Sequence, residues 1–521
     1  MDIKSLIDPE GGLIDRRIFA DREIYELERE RLFARCWLYL GHECEIPSPG
    51  DFVMRYMGEE PVILCRDRAG KLRGHLNLCR HRGNRVCRAD RGNTKLFTCS
   101  YHGWSYGTDG QLALVPMMDA FKGLDREKWG LIPVAQIDSY KGLIFGTFDA
   151  AAPKLVDYLG DMAWYLDILL DRRAGGTEVS GPHRWLLDAN WKTAAENFGG
   201  DGYHITSTHG SARELGVDTT TSQTRQWNKG CQISCGNGHI LVSWITPPDS
   251  GPWFAQPDDQ LVDYMKEHAK EIENRLGAKR ARQIAPSAGT VFPNLSVHWL
   301  TRTLRVWQPH GPDKMEIWSW AIVDKAASSK IKDVMRFVSQ FRFSPSGVFE
   351  QDDMDNWIQV TGAAKSLIGR RYPANYQMSG NEPPLEIDLP GTVKSRFSDN
   401  NQLSLYMHWE NAAGEKLERT AEHAKWLIRC ARTSKISITP KLSFWITGSS
   451  ANGSHCSRTI SAIGCRSGTT RSSAPAIYRA SSRNPARGFI SMTTRPVCES
   501  GSSEFTPKMP GLRCRPRGRG I

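Results

Sequence analysis

Two short pairs of metal-ligating residues stand close together in the first quarter of the chain. Cys79-Arg80-His81 is followed, after 17 intervening residues, by Cys99-Ser100-Tyr101-His102. Two thiolates and two imidazoles make a tetrahedral S/N set that suits zinc or an iron–sulfur centre, and the ligand inventory alone does not decide between them. The division into C-x-H and C-x-x-H fits a binuclear iron centre in which the thiolates hold one iron and the imidazoles the other. Zinc ribbons typically offer C-x-x-C pairs instead. Cys87 lies in the same segment but outside the pairs, and reads as a small buried thiol.

A second constellation follows much later. Asn197-Phe198-Gly199-Gly200-Asp201-Gly202-Tyr203-His204 continues to His209, and two histidines with one carboxylate and open positions make the facial triad of non-haem Fe(II) oxygenases. Taken alone, H-x-x-x-x-H is a weak signal, because a histidine satisfied inside the structure is the commoner case. An ideal α-helix would set residues five apart at about 140° to each other. One ion can therefore accept both imidazoles only if the helix between them is widened or broken. The carboxylate has to come from elsewhere. The acidic run Glu350-Gln351-Asp352-Asp353-Met354-Asp355, read by itself, would be a solvated helix face.

The elements that must position these residues fall into two patterns. Asp21 can cap a helix whose Ile24, Leu27 and Leu32 share an apolar face. From Phe52 to about Phe148 short strand-like runs alternate with turns: Phe52-Val53-Met54, Val62-Ile63-Leu64-Cys65 and Leu76-Asn77-Leu78, with Asp67-Arg68-Ala69-Gly70 turning between the last two. A small all-β domain is the natural reading, with the two C/H pairs at the ends of neighbouring strands. After Pro153, the residues Leu155, Tyr158, Leu159, Met162, Leu166, Leu169 and Leu170 predict one amphipathic helix. A helix is expected from about Trp191, a strand over Met315 to Val323 and a helix near Ile331 to Phe341. Together they predict an α+β fold in which helices cover an antiparallel sheet.

Cys79-Arg80-His81-Arg82-Gly83 and Cys99-Ser100-Tyr101-His102-Gly103-Trp104 closely resemble the two cluster-binding loops of Rieske proteins. Asn-x-x-x-Asp-x-Tyr-His-x-x-x-x-His resembles the mononuclear-iron motif of the large (alpha) subunits of Rieske non-haem iron aromatic-ring-hydroxylating dioxygenases. The resemblance covers roughly Asp15 to Trp409. It implies one [2Fe-2S] cluster on Cys79, His81, Cys99 and His102, and one Fe(II) on His204, His209 and Asp353. Asp353 is taken by the match of Gly347 to Trp357 to the family's segment, with Asp352 the neighbour most easily confused with it. The resemblance further implies that Asp201 bridges His204 and His102 of the partner subunit. It therefore implies an alpha3 or alpha3beta3 oligomer with a small subunit, supplied with electrons from NADH through a reductase and a ferredoxin.

The expected reaction is cis-dihydroxylation of an aromatic ring by dioxygen. Asn197, Phe198, Ile205, Phe343 and Phe349 are the expected substrate-lining residues. Since no arginine falls inside the motifs to hold a carboxylate, an aromatic hydrocarbon is favoured. The competing reading is a Rieske-type monooxygenase or hydroxylase acting on an aromatic acid. An electron carrier without catalysis is argued against by the second site. The expected organisation is an N-terminal helical part of the catalytic domain over 1–37, a Rieske domain over 38–152, a mononuclear-iron catalytic domain over 153–435 and a basic low-complexity tail over 436–521.

Composition bounds the rest. The chain has 521 residues, 13 cysteines and a formal net charge of +11. Residues 436–521 hold 13 Lys and Arg against Glu499 and Glu504, and the remainder holds 55 charges of each sign. The basic excess thus belongs to the tail and makes no case for nucleic acid in the folded body. The tail has no Asp and no periodicity, and reads as low-complexity sequence that cannot offset chain entropy: out-of-frame read-through is the expectation, and a basic tail that binds nucleic acid the competing reading. No signal peptide and no apolar run of about 20 residues is seen, which predicts a cytoplasmic chain with reduced cysteines. Arg80, Arg82 and Arg85 beside the cluster could steer an acidic ferredoxin or be ordinary surface charge.

Overall fold

The computed structural model describes residues 3–214, 230–248, 256–379 and 382–414. The expected tail at 436–521 lies outside the described residues. All that follows is found within the unit Met1–Lys435.

Short antiparallel strands build the first part. Leu72–Leu76, Glu60–Arg66, Asp51–Met57 and Arg91–Asn93 pair in that order. Leu112–Leu114, Ser105–Gly107 and Leu96–Thr98 form a second small sheet, and Gln136–Tyr140, Leu143–Thr147 and Leu38–His42 a third. Side chains in a strand alternate between faces, and this chain uses both. Val53, Val62 and Leu64 join the core shared with the later helices. Phe52, Met54, Ile63 and Cys65 face the compact core around Cys79, Cys99, Trp104 and Tyr106. The run Leu76-Asn77-Leu78 is not a strand: pairing ends at Leu76, because Asn77 is diverted to its own neighbours. Its buried amide accepts from the backbone N–H groups of Val86 and Cys87 at 2.9 Å and donates to the Cys87 carbonyl at 2.7 Å. Cys87 is buried, as expected of a structural thiol.

An eight-stranded antiparallel sheet dominates the second part, in the order Thr177–Leu187, Met315–Asp324, Thr303–Pro309, Leu295–His298, Ile284–Val291, Ile240–Ile245, Gly230–Ser234 and Thr392–Ser395. Both faces are covered, so its strands are apolar on both sides. Trp307 and Ile317 point into one core, whereas Val306 and Trp318 point into the other. The helix Trp191–Gly200 crosses the first of these faces, with Glu350–Lys365 and Asn400–Gly414 packed against it. On the other face lie the seven apolar residues predicted for a single helix, all buried. They form two helices, Leu155–Leu159 and Met162–Leu170. The chain breaks at Gly160, whose φ of 47° with ψ of −131° no helix accommodates. The apolar stripe ran on across the break and so concealed it.

The early helix begins where Asp21 caps it, with its carboxylate accepting from the N–H groups of Glu23 and Ile24. It delivers Glu28 to the interior, where Oε1 meets Lys192 Nζ at 2.5 Å and Trp409 Nε1 at 2.7 Å, and Oε2 meets Trp191 Nε1 at 3.1 Å. One buried carboxylate thereby pins three helices, among them the one that leads to the histidines.

Candidate metal centres

The two C/H pairs occupy matching loops. In one, the N–H of Gly83 donates to the Cys79 carbonyl at 2.9 Å; in the other, Gly103 donates to the Cys99 carbonyl at 2.9 Å. Both glycines are left-handed, with φ of 80° and 74°, a backbone state that only glycine adopts without penalty. Each loop turns its cysteine inward and its histidine outward. Cys79 and Cys99 are both buried, and each sulfur perturbs the ionisation of the other. The His81 and His102 rings stand 4.4 Å apart, and His81 stacks on Trp104 at 5.0 Å.

Donors converge on the sulfurs, with Tyr106 Oη 3.4 Å from Cys79 Sγ and Asn84 Nδ2 3.6 Å from Cys99 Sγ. Burial pushes the Cys79 thiol up, while at Cys99 the opposing N–H donors of Tyr101, Asn84 and His102 outweigh burial and hold it low. His81 Nδ1 is buried with no hydrogen-bond partner, although a buried polar atom is normally satisfied. Two sulfurs inside, two imidazoles at the rim and an orphaned ring nitrogen fit a binuclear cluster. Arg80 is turned to structural use, donating to the Gly130 carbonyl and lying over Trp129. Arg85 lies over Tyr56.

The second site begins where the helix Trp191–Gly200 stops. Its terminal carbonyls are taken up by buried amides, Gly199 by Asn401 Nδ2 and Gly200 by Gln232 Nε2, both at 2.9 Å. Asp201 then leaves helical geometry, with φ of −76° and ψ of 87°. Its Oδ1 accepts from the N–H groups of Tyr203 at 3.0 Å and His204 at 3.1 Å, fixing the turn that precedes a new short helix, Ile205–Thr208. That helix ends at His209 before Gly210–Glu214 begins. The irregularity demanded by the five-residue spacing is therefore present, as two breaks.

The helix Glu350–Lys365 supplies the distant carboxylate. Asp353 Oδ1 lies 3.4 Å from His204 Nε2 and 3.5 Å from His209 Nε2, and the three ligand atoms fall within 4.8 Å of one another. Asp353 is 3% exposed, and its Oδ1 has no hydrogen-bond partner. Burial above all pushes this carboxyl up to about 7. A cation between the three donors would satisfy the orphaned oxygen and hold it ionised.

The opposite ring nitrogens are engaged. His204 Nδ1 donates to the Asp201 carbonyl at 2.6 Å and lies 3.5 Å from its carboxylate, with Asn197 Nδ2 at 3.4 Å. His209 Nδ1 donates to Asp352 at 3.4 Å. These contacts turn both Nε2 atoms toward Asp353, as outer-shell partners of metal-bound imidazoles do. Burial works against charging His204, but Asp201 and Asp353 raise it overall.

Aromatic residues wall the site. Phe349 lies 4.8 Å from the His209 ring, Phe343 5.9 Å from Phe349, and Phe198 5.4 Å from Phe343. Ile205 is partly buried, on the turn between the two histidines. Three neighbours were given no role by the sequence, although Glu350 lies in the acidic run. His298 sits 4.9 Å from Phe343, and burial, with Arg305 and Arg342 beside it, drives it down to about 3. The other two, Arg305 and Glu350, form a wholly buried ion pair.

A buried thiolate pair capped by two imidazoles, together with a facial triad beneath an aromatic wall, defines a Rieske-type non-haem iron oxygenase. Residues 36–137 match the family model for the Rieske [2Fe-2S] domain, and residues 155–387 that for the ring hydroxylating alpha subunit (catalytic domain). The chain is 39% identical over 426 residues to the biphenyl 2,3-dioxygenase subunit alpha of Rhodococcus jostii (strain RHA1), covering 78% of this chain and 90% of that one. It is 39% identical to a benzene 1,2-dioxygenase subunit alpha of Pseudomonas putida, covering 78% and 92%. Naphthalene 1,2-dioxygenase from Rhodococcus sp. bound to indole superposes with a TM-score of 0.69 at 40% identity, covering 78% of this chain and 95% of that one. The chain belongs to the ring-hydroxylating dioxygenase alpha-subunit family, oxidoreductases that carry one Rieske [2Fe-2S] cluster and one mononuclear iron.

Proposed function

We propose that this chain is the terminal oxygenase that cis-dihydroxylates an aromatic hydrocarbon. Cys79 and Cys99 hold one cluster iron, His81 and His102 the other, and His204, His209 and Asp353 hold the Fe(II). Iron held there supplies the reductive activation of dioxygen. Everything else falls to the polypeptide. Phe198, Phe343 and Phe349, with Asn197 and Ile205, receive a flat apolar ring and exclude water from it. Asp201 orients His204 and makes the connection to His102 of the partner subunit, so the working unit is a ring of three large subunits with or without a small one. Electrons come from NADH through a reductase and a ferredoxin in the cytoplasm. The chain divides into 1–37, 38–152, 153–435 and 436–521, with 1–37 belonging to the catalytic domain.

The observation that carries this reading is the meeting of Asp353 Oδ1 with two histidine Nε2 atoms under an aromatic wall. Arg305, which lies over the Phe198 and Phe343 rings, is already paired with Glu350, which favours a neutral ring over an aromatic acid. Product analysis with naphthalene, biphenyl and a panel of aromatic acids, using supplied reductase and ferredoxin, tests the proposal. Dihydrodiols from the hydrocarbons are expected. Turnover confined to the acids, or single hydroxylation throughout, would overturn it.

A further inference from the structure

We propose that Arg305 is a positioning residue, tying the aromatic wall of Phe198 and Phe343 to the helix that carries Asp353 and so setting how a substrate ring lies against the iron. The inference rests on the reading of those phenylalanines as wall and of Asp353 as ligand. Arg305 stands on the strand Thr303–Pro309 and, like Glu350, is wholly buried, with Nη1 2.6 Å from Glu350 Oε2. Its guanidinium lies 5.2 Å from the Phe198 and Phe343 rings and 5.5 Å from those of Trp185 and Trp307. Nη2 donates to the carbonyl of Phe343, the last residue of the helix Ser329–Phe343, where carbonyls lack an intrahelical partner. Glu350 opens the helix Glu350–Lys365 one turn before Asp353, and both are buried. A single rigid cation thus touches the helix bearing Phe198, the helix end bearing Phe343 and the helix bearing Asp353.

Stability is a weak reason for this arrangement, since apolar residues of similar volume often replace a buried ion pair without loss. A planar fork that stacks on rings and bonds in fixed directions is what arginine offers and lysine lacks. The ring edge offered to the iron should therefore depend on the fork and not on the charge alone.

The test compares Arg305→Lys, and the double variant Arg305→Met with Glu350→Leu, against the unaltered chain in the full enzyme with biphenyl. Iron content and the cluster spectrum are expected to stay unchanged in both. The ratio of 2,3- to 3,4-dihydrodiol should shift by about threefold or more, and a larger share of the consumed dioxygen should appear as hydrogen peroxide, because small displacements from reactive geometry carry large penalties. Wild-type ratio and coupling in Arg305→Lys, or their full restoration in the double variant, would overturn the inference. Absence of any dihydrodiol from the unaltered enzyme would overturn instead the functional reading beneath it.

Discussion

Asp353 and Asp352 are adjacent in sequence yet meet the histidines in different ways, and substitution should separate them. Asp353 Oδ1 faces both Nε2 atoms, whereas Asp352 accepts from His209 Nδ1 on the far side of that ring. Loss of an outer-shell partner usually lowers metal affinity 10–100-fold. Asp352→Asn is expected within about that range. Asp353→Asn should go beyond it, with iron falling from about three to about two per chain while the visible spectrum of the cluster persists. Iron titration followed by both signals checks this, and equal effects of the two substitutions would contradict it.

Glu196 offers a test by pH. Burial raises its carboxyl to about 8, with Asp201 and Asp399 adding to the rise and the Tyr406 and Tyr376 hydroxyls opposing it. The folded state therefore keeps a proton that the unfolded chain releases near 4.5. Stability from this group is fully present below 4.5 and is lost as pH rises through about 8. Thermal unfolding of the unaltered chain should weaken over that window relative to Glu196→Gln, which has no such proton to lose. Parallel curves would contradict the assignment.

At the level of elements, the Glu28 pin and the two glycine turns carry the metal sites. Glu28→Ala leaves the fully buried Lys192 without its partner, and stranding a buried charge costs about 3–5 kcal/mol. Chemical denaturation should register that loss, and a change below about 1 kcal/mol would show that the three helices hold without it. Gly83→Ala meets only the left-handed backbone penalty, its nearest neighbour being Leu78 at 3.9 Å. A Cβ at Gly103 would also stand 2.9 Å from Pro116. Gly103→Ala should accordingly lower cluster occupancy more than Gly83→Ala does.

That no single regular helix could run from Asp201 to Gly210 was legible in advance, because one ion cannot accept imidazoles about 140° apart, and the chain leaves helical geometry at Asp201 and at His209. The caps at Asp21 and the helix at Trp191 were legible from local chemistry too. The break at Gly160 was not, since the apolar stripe is continuous on either side of it. Arg305 and His298 escaped notice, and Glu350 was read only as part of a solvated acidic run, for another reason. Their chemistry lies with partners tens of residues away, and a lone arginine or glutamate in a strand or acidic run reads as surface. Asp352 and Asp353 could be told from solvated acids only by resemblance to the family.

Over the whole molecule, the separation of charge from chemistry sets a further expectation. All ligand candidates lie before residue 354, while the excess of positive charge lies in 436–521. Shortening the chain to residues 1–435 should preserve both iron signals and the product while removing the net charge. Loss of either iron on truncation would give the basic segment a part in the folded body that its composition denies. The Rieske strands and the catalytic helices share one core, to which Val53, Val62 and Leu64 contribute beside Trp191 and Trp409. Damage to one part is therefore expected to reach the other.

The account turns on two iron centres of one polypeptide acting together to place both atoms of dioxygen on an aromatic ring. Its most direct test is a single turnover of the chemically reduced protein with naphthalene and isotopically labelled dioxygen, followed by mass spectrometry of the product. A cis-dihydrodiol carrying two labelled oxygens, formed as the cluster reoxidises, is the predicted result. Cluster reoxidation with no oxygenated product, or a product with a single labelled atom, would contradict it.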